Sequence, residues 1–152
     1  MANILLVEDE VSVRLALELQ LSAHGEVYAA DDREEWEELR QELLRTDTPL
    51  DLAVIDLCLP GVAGFDFDAG FAIIEQVGRE HGNPPVIVIT VRNDKDAWDR
   101  ALGCPAVHYF VTKGWRADEL KEAVTRSLAG DAVGLTLRGQ IEGVDENLTY
   151  GR

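Results

Sequence analysis

The residue types able to do chemistry in this chain cluster at the ends of short apolar runs. ILLV is followed at once by Glu8, Asp9 and Glu10, LDLAVID ends in Asp56, VIVIT ends in Thr90 and HYFVTK ends in Lys113. Carboxylates gathered in one place repel one another, and a hard divalent cation relieves that repulsion. Mg²⁺ takes oxygen ligands in a near-octahedral shell at about 2.1 Å and keeps several waters. A cation held this way screens an incoming phosphoryl group, while one carboxylate acts as nucleophile. A lysine can pair with phosphoryl oxygens, and a threonine hydroxyl can hydrogen-bond one of them. Phosphoryl transfer asks mainly for positioning and charge neutralisation.

These residues are useful only if the chain brings them together. Strand-like runs occur at Asn3–Val7, Glu26–Ala29, Leu50–Ile55, Val86–Thr90 and Val107–Val111. Most are continuous β-branched or aliphatic stretches, as suits strands covered on both faces. Between them the spacing predicts helices. Val11 to Ala23 sets Leu15, Leu19 and Ala23 four apart, with Gly25 beyond as a stop. Arg33 to Leu44 carries Trp36, Leu39, Leu43 and Leu44 against an acidic face. A third helix starts over Phe71 to Val77, a short fourth runs from Asp94 to Leu102, and a fifth from Arg116 to Leu128 carries Leu120, Val124 and Leu128.

Five strands alternating with five helices give a doubly wound parallel sheet with right-handed crossovers. Ligands of such sheets bind outside the carboxyl ends of the strands, so the acids, Thr90 and Lys113 share one rim. The order 2-1-3-4-5 sets strands one and three side by side, with Asp56 next to Glu8 and Asp9. Residues 1–130 account for this unit. Residues 131–152 depart from the pattern and read equally as a hairpin, a tail or the start of a linker.

Composition narrows the partners. Of 152 residues, 14 are Lys or Arg and 29 are Asp or Glu, a net charge of −15. That leaves little positive charge for a nucleic-acid-binding face or for an anionic membrane surface. The longest apolar stretches, such as Pro85–Val91, fall far short of the roughly 20 residues of a membrane span. The N-terminus lacks a secretory signal pattern. Cys58 and Cys104 are the only cysteines, too few for a disulfide framework or a zinc cluster, so a reducing cytoplasmic setting is expected.

From Asn3 to Gly130 the chain resembles the receiver domain of bacterial two-component response regulators. ILLVEDE resembles the family's first strand with its acidic pair, VIDLCLPG the phospho-acceptor segment, VIVIT the hydroxyl position and YFVTK the lysine. The resemblance implies a flavodoxin-like (βα)5 fold and a signalling switch, not a metabolic enzyme. It implies that Asp56 accepts a phosphoryl group from a sensor histidine kinase or a phosphotransfer protein of a phosphorelay, with intrinsic phosphotransfer and slow hydrolysis of the aspartyl phosphate. Asp9, Asp56 and the backbone carbonyl of Cys58 would ligate Mg²⁺, with Glu8 acting through a water. Thr90 would move toward the phosphoryl group and Phe110 would rotate inward, altering the face formed by helix 4, strand 5 and helix 5. That face would meet an output partner or domain. The kinase, the output and homodimer formation are left open.

The chain also departs from the family pattern. Both GVAGF (Gly61–Phe65) and DAGFAII (Asp68–Ile74) fit the segment after Pro60, as a six-residue insertion and a longer loop would produce. Val91 stands where receivers carry Ala or Gly, and Arg92 follows it. Bulk and positive charge there predict slow autodephosphorylation. Gly114 replaces the proline after the lysine, and Phe110 the commoner tyrosine. These departures feed one rival, a receiver-like interaction module that does not turn over phosphate. A second rival is a Mg²⁺-dependent phosphatase with an aspartyl nucleophile, whose two acids Glu8 and Glu10 would mimic in spacing. Residue by residue, plainer roles exist. The acids after the first strand could cap helix 1, Trp98 and Trp115 could simply pack, and the acidic run Asp31–Glu38 could be a solvated helix face.

Overall fold

The computed structural model describes residues 1–57, 59–61, 64–90 and 95–130. The elements are β1 (Ala2–Val7), α1 (Val11–Leu21), β2 (Gly25–Ala30), α2 (Arg33–Arg45), β3 (Leu52–Asp56), β4 (Leu59–Gly61), β5 (Gly64–Asp66), α3 (Phe67–His81), β6 (Val86–Thr90), α4 (Lys95–Leu102), β7 (Val107–Thr112) and α5 (Ala117–Leu128). Five strands form one sheet in the order β2-β1-β3-β6-β7, and every neighbouring pair is parallel. Counted along that sheet alone the order is 2-1-3-4-5, the flavodoxin-like arrangement expected from the sequence.

The central strands β3 and β6 are fully buried and apolar up to their last residue because both faces are covered. Side chains alternate across a strand, and the core divides accordingly. Leu5, Val7, Ala53, Ile55, Val86 and Val88 join Trp36, Ile73, Val77 and Trp98 from α2, α3 and α4. Ile4, Leu6, Leu52, Val54, Ile87 and Ile89 join Leu17, Leu21, Leu120 and Val124 from α1 and α5. Helix α2 begins at a true cap, where the Asp32 carboxylate accepts the Glu35 N–H at 2.8 Å. It is joined to α3 by a polar seam, in which Trp36 Nε1 donates to Gln76 (2.9 Å) and Arg40 Nε to Glu80 (2.7 Å).

Three expectations are corrected. Helix α1 turns a different face inward: Leu17 and Leu21 are buried, while Leu15 and Leu19, named above for their spacing, are 57% and 78% exposed. The helix is apolar on two sides, so spacing alone could not choose between them, and the sheet takes the Leu17–Leu21 side. Helix α3 starts at Phe67, a full turn before Phe71. The segment expected as a longer loop contains a two-stranded antiparallel ribbon, β4 with β5, pairing Leu59 with Asp66, Pro60 with Phe65 and Gly61 with Gly64. Cys58, Val91, Arg92 and residues 131–152 lie outside the described residues.

Candidate functional site

Sheet register brings the chemistry to one rim. Val7 pairs with Ile55, Asp56 with Ile89 and Thr90 with Thr112, so β1, β3, β6 and β7 end nearly level. The Lys113 backbone N–H donates to the Thr90 carbonyl at 2.8 Å, carrying the ladder one step past the strands. Glu8, Asp56 and Thr90 are among the few polar residues with essentially no exposure.

Lys113 reaches back over the rim. Its Nζ lies 3.0 Å from Glu8 Oε2 and 3.2 Å from Asp56 Oδ2, with Glu10 Oε2 at 3.6 Å. Burial pulls the Lys113 ammonium toward neutrality. The Asp56 charge, with the hydrogen bonds and charge of Glu8, outweighs that pull, and its pKa stands above the ordinary lysine value. The lysine is therefore a fixed cation among acids.

The acids outnumber it. Glu8, Asp9 and Asp56 each place a carboxylate oxygen within 4.8 Å of the others. Among the described residues carboxylates outnumber the ammonium at this rim, and two of them, Glu8 and Asp56, are buried. Glu8 Oε1 is buried and has no hydrogen-bond partner among the described residues. An octahedral shell at the Mg²⁺–oxygen distance sets ligand oxygens about 3 to 4 Å apart, so the spacing, the surplus charge and the unused oxygen all suit a hard divalent cation. Glu10 is the N-cap residue of α1, and its side chain makes no cap hydrogen bond.

Two residues not singled out in the sequence, Arg14 and Gly70, support this rim together with Glu10 and Gly114. Arg14 Nη1 donates to the Glu8 carbonyl (3.3 Å), and the Glu10 N–H donates to Glu8 Oε2 (3.0 Å). Both fix the turn that presents the acids, and their residue types carry no distinctive sequence signal. Gly70 on α3 lies against Asp56 and Leu57. A Cβ there would stand 2.7 Å from the Leu57 Cα and 3.0 Å from the Asp56 carbonyl, so only glycine lets α3 approach this closely. Gly114 takes φ +96°, a region closed to proline, whose ring fixes φ near −65°. The departure at this position thus changes the turn itself.

The switch candidates are both interior. Thr90 has no exposed surface, and Phe110 is 1% exposed against the α3–α4 side of the core. Trp115 packs beside the Lys113 turn, donating from Nε1 to Gln20 at 3.3 Å. A shallow groove of about 270 Å³ runs between α1 and this turn, past Ser12, Val13, Ala16 and Gln20.

With the fold and the geometry of this rim in hand, the chain can be compared with known proteins. The family model for the response regulator receiver domain matches residues 4–125. The transcriptional regulatory protein AfsQ1 of Streptomyces coelicolor is 37% identical over 95 residues, covering 62% of this chain and 37% of that protein. The response regulator ArlR of Staphylococcus haemolyticus is 30% identical over 121 residues, covering 79% of this chain and 49% of that protein. The crystal structure of a response regulator receiver domain protein from Clostridium thermocellum superposes with TM-score 0.68 at 19% identity, over 86% of this chain and 97% of that one. The chain belongs to the response regulator receiver domain family, a family of two-component signalling proteins. It spans about half or less of the curated relatives it matches. Among the described residues no helix is long and apolar enough to cross a membrane.

Proposed function

We propose that this receiver is a phosphorylatable switch whose acceptor is Asp56. The observation that carries the reading is the Lys113 ammonium held between Glu8 and Asp56 beside a cation-sized group of carboxylates. Asp9 and Asp56 would hold Mg²⁺, with the Cys58 carbonyl as a third ligand and Glu8 acting through a water. When bound, the cation neutralises phosphoryl charge. The protein groups do the rest. An Asp56 carboxylate oxygen forms a bond to phosphorus as the phosphorus–nitrogen bond of a donor phosphohistidine breaks, and the imidazole departs with the bonding electrons. Lys113 then exchanges its contact with Asp56 for a phosphoryl oxygen, and Thr90 donates to another. Val91 and Arg92 border this position in sequence and slow the return attack by water.

The donor is a sensor histidine kinase or phosphotransfer protein. An apolar stripe on α1, Val11, Leu15 and Leu19, is exposed and starts directly after the acidic turn. With the groove beside Lys113, it offers a donor protein a surface that aims it at Asp56. Residues 1–130 act as the switch, and α4, β7 and α5 present its state to an output partner or domain. The test is incubation with Mg²⁺ and a small-molecule phosphodonor, followed by intact-mass measurement. One added phosphoryl group is expected, absent from Asp56→Asn and after chelation. Equal labelling of wild type and Asp56→Asn would refute the assignment.

A further inference from the structure

Glu10 stands on the rim without a task in the acceptor chemistry. Its Oε2 lies 3.6 Å from the Lys113 Nζ, yet it is not one of the carboxylates spaced for a cation. The side chains of Glu8 and Asp56 are 1% exposed and that of Lys113 is 13% exposed, whereas Glu10 is 55% exposed. Its carboxylate therefore meets the lysine from the solvent side. The fold does not need it there. As the N-cap residue of α1 it makes no side-chain cap hydrogen bond, and the contact that fixes the turn is its backbone N–H to Glu8 Oε2. The Ser12 hydroxyl reaches Glu10 Oε1 at 3.4 Å, long for such a bond. What the side chain supplies is negative charge where a phosphodonor must arrive.

The distances set how much that charge matters. A phosphoryl oxygen bonded to Lys113 lies about 3 Å from Nζ, and hence within about 6.6 Å of Glu10 Oε2. Even in the dielectric of water, unit charges that far apart repel by enough to change a rate about threefold. The factor applies once for each negative charge on the donor. We infer that Glu10 sets donor specificity by charge, disfavouring dianionic acyl phosphates relative to phosphorus–nitrogen donors, whose protonated nitrogen leaves them one net negative charge. The inference rests on the receiver reading. A phosphohistidine with a protonated imidazole is a donor of the favoured kind. The substitution itself is the same for both. An Asp56 oxygen bonds to phosphorus while acetate leaves acetyl phosphate with the phosphorus–oxygen electrons, or neutral ammonia leaves phosphoramidate with the phosphorus–nitrogen electrons. Only the charge brought up to Glu10 differs.

The test compares initial rates of Asp56 labelling by acetyl phosphate and by phosphoramidate, read by intact mass at pH 7 with Mg²⁺ saturating for each protein. At low ionic strength Glu10→Gln is expected to speed labelling about ninefold with the dianionic donor and about threefold with the monoanionic one. Both gains should collapse near 1 M salt, where the Debye length is about 3 Å. Glu10→Asp keeps the charge and is expected to keep the wild-type ratio of the two rates. A change in the shape of the turn would move both donors together and would not answer to salt. Equal gains with the two donors, a gain that 1 M salt leaves intact, or no gain with acetyl phosphate overturns the inference. Failure of the receiver reading looks different and takes the inference with it: neither donor adds to wild type a phosphoryl group that Asp56→Asn lacks.

Discussion

Glu8 serves two neighbours with one side chain. Its Oε2 meets both the Lys113 ammonium and the Glu10 N–H, and its Oε1 is the buried oxygen left over. Glu8→Gln keeps the shape, removes one charge and, with its amide oxygen kept on Lys113 and Glu10, sets N–H groups where the unpartnered Oε1 stood. Mg²⁺ affinity, read by titrating tryptophan fluorescence, is expected to fall at least about tenfold, as for other residues that orient a metal shell. Unchanged affinity would remove Glu8 from the cation site. Gly70 is the opposite case, a residue that matters by having no side chain. Alanine is favoured over glycine within a helix by about 1 kcal/mol, so propensity alone predicts that Gly70→Ala stabilises α3. The 2.7 Å approach to the Leu57 Cα decides otherwise, because that neighbour is backbone and cannot rotate away. Overpacking costs about 1–3 kcal/mol, so a lower urea midpoint is expected, with slower labelling of Asp56. A midpoint at or above wild type would show that α3 backs away from Leu57 freely.

Helix α1 has to satisfy two surfaces. Leu17 and Leu21 fasten it to the sheet, whereas Leu15 and Leu19 stand in solvent beside the acidic turn. Leu15→Gln with Leu19→Gln should leave stability within about 0.5 kcal/mol, as is usual for exposed positions. Phosphotransfer from a protein donor should nevertheless drop roughly tenfold or more, since burying a leucine is worth about 1.5–3 kcal/mol. Labelling by a small phosphodonor should not change, and an equal loss with both donors would show that the stripe serves the fold and not docking. The same helix marks where sequence stops being enough. The central strands and the rim residues were legible because β3 and β6 are uninterrupted apolar runs with a polar residue at the carboxyl end. The inward face of α1 was not, since both of its sides are apolar and the choice is made by tertiary packing. The β4–β5 ribbon was not legible either: strands of three residues carry no period, and the duplicated Gly–Phe pattern admitted two alignments. Gly70 lay inside one of those alignments, but its role depends on how near α3 comes to Leu57, which only the fold fixes.

The whole molecule carries a net charge of −15, and its response to acid separates that field from local burial. Ordinary Asp and Glu titrate near pH 4 and histidine near pH 6.5, so between pH 7.5 and 5.5 the histidines dominate the change in charge. Protonating them reduces net negative charge, which by itself eases self-repulsion and favours the folded state. Burial opposes this. The pKa values of His81, at the end of α3, and His108, on β7, are both lowered by desolvation. A group whose folded pKa is depressed takes up a proton more readily in the unfolded chain. Its contribution to stability is therefore whole above the unfolded value near 6.5 and is lost as pH falls below it. His81 Nε2 is buried with no hydrogen-bond partner among the described residues, which sharpens the penalty for charging that ring. Urea midpoints measured in chelator, so that no cation contributes, are expected to fall from pH 7.5 to 5.5 in wild type. The double variant His81→Gln with His108→Gln should fall less or rise, exposing the eased repulsion. Equal pH dependence in the two proteins would mean that the overall charge governs stability in this range and that these two imidazoles contribute nothing to it.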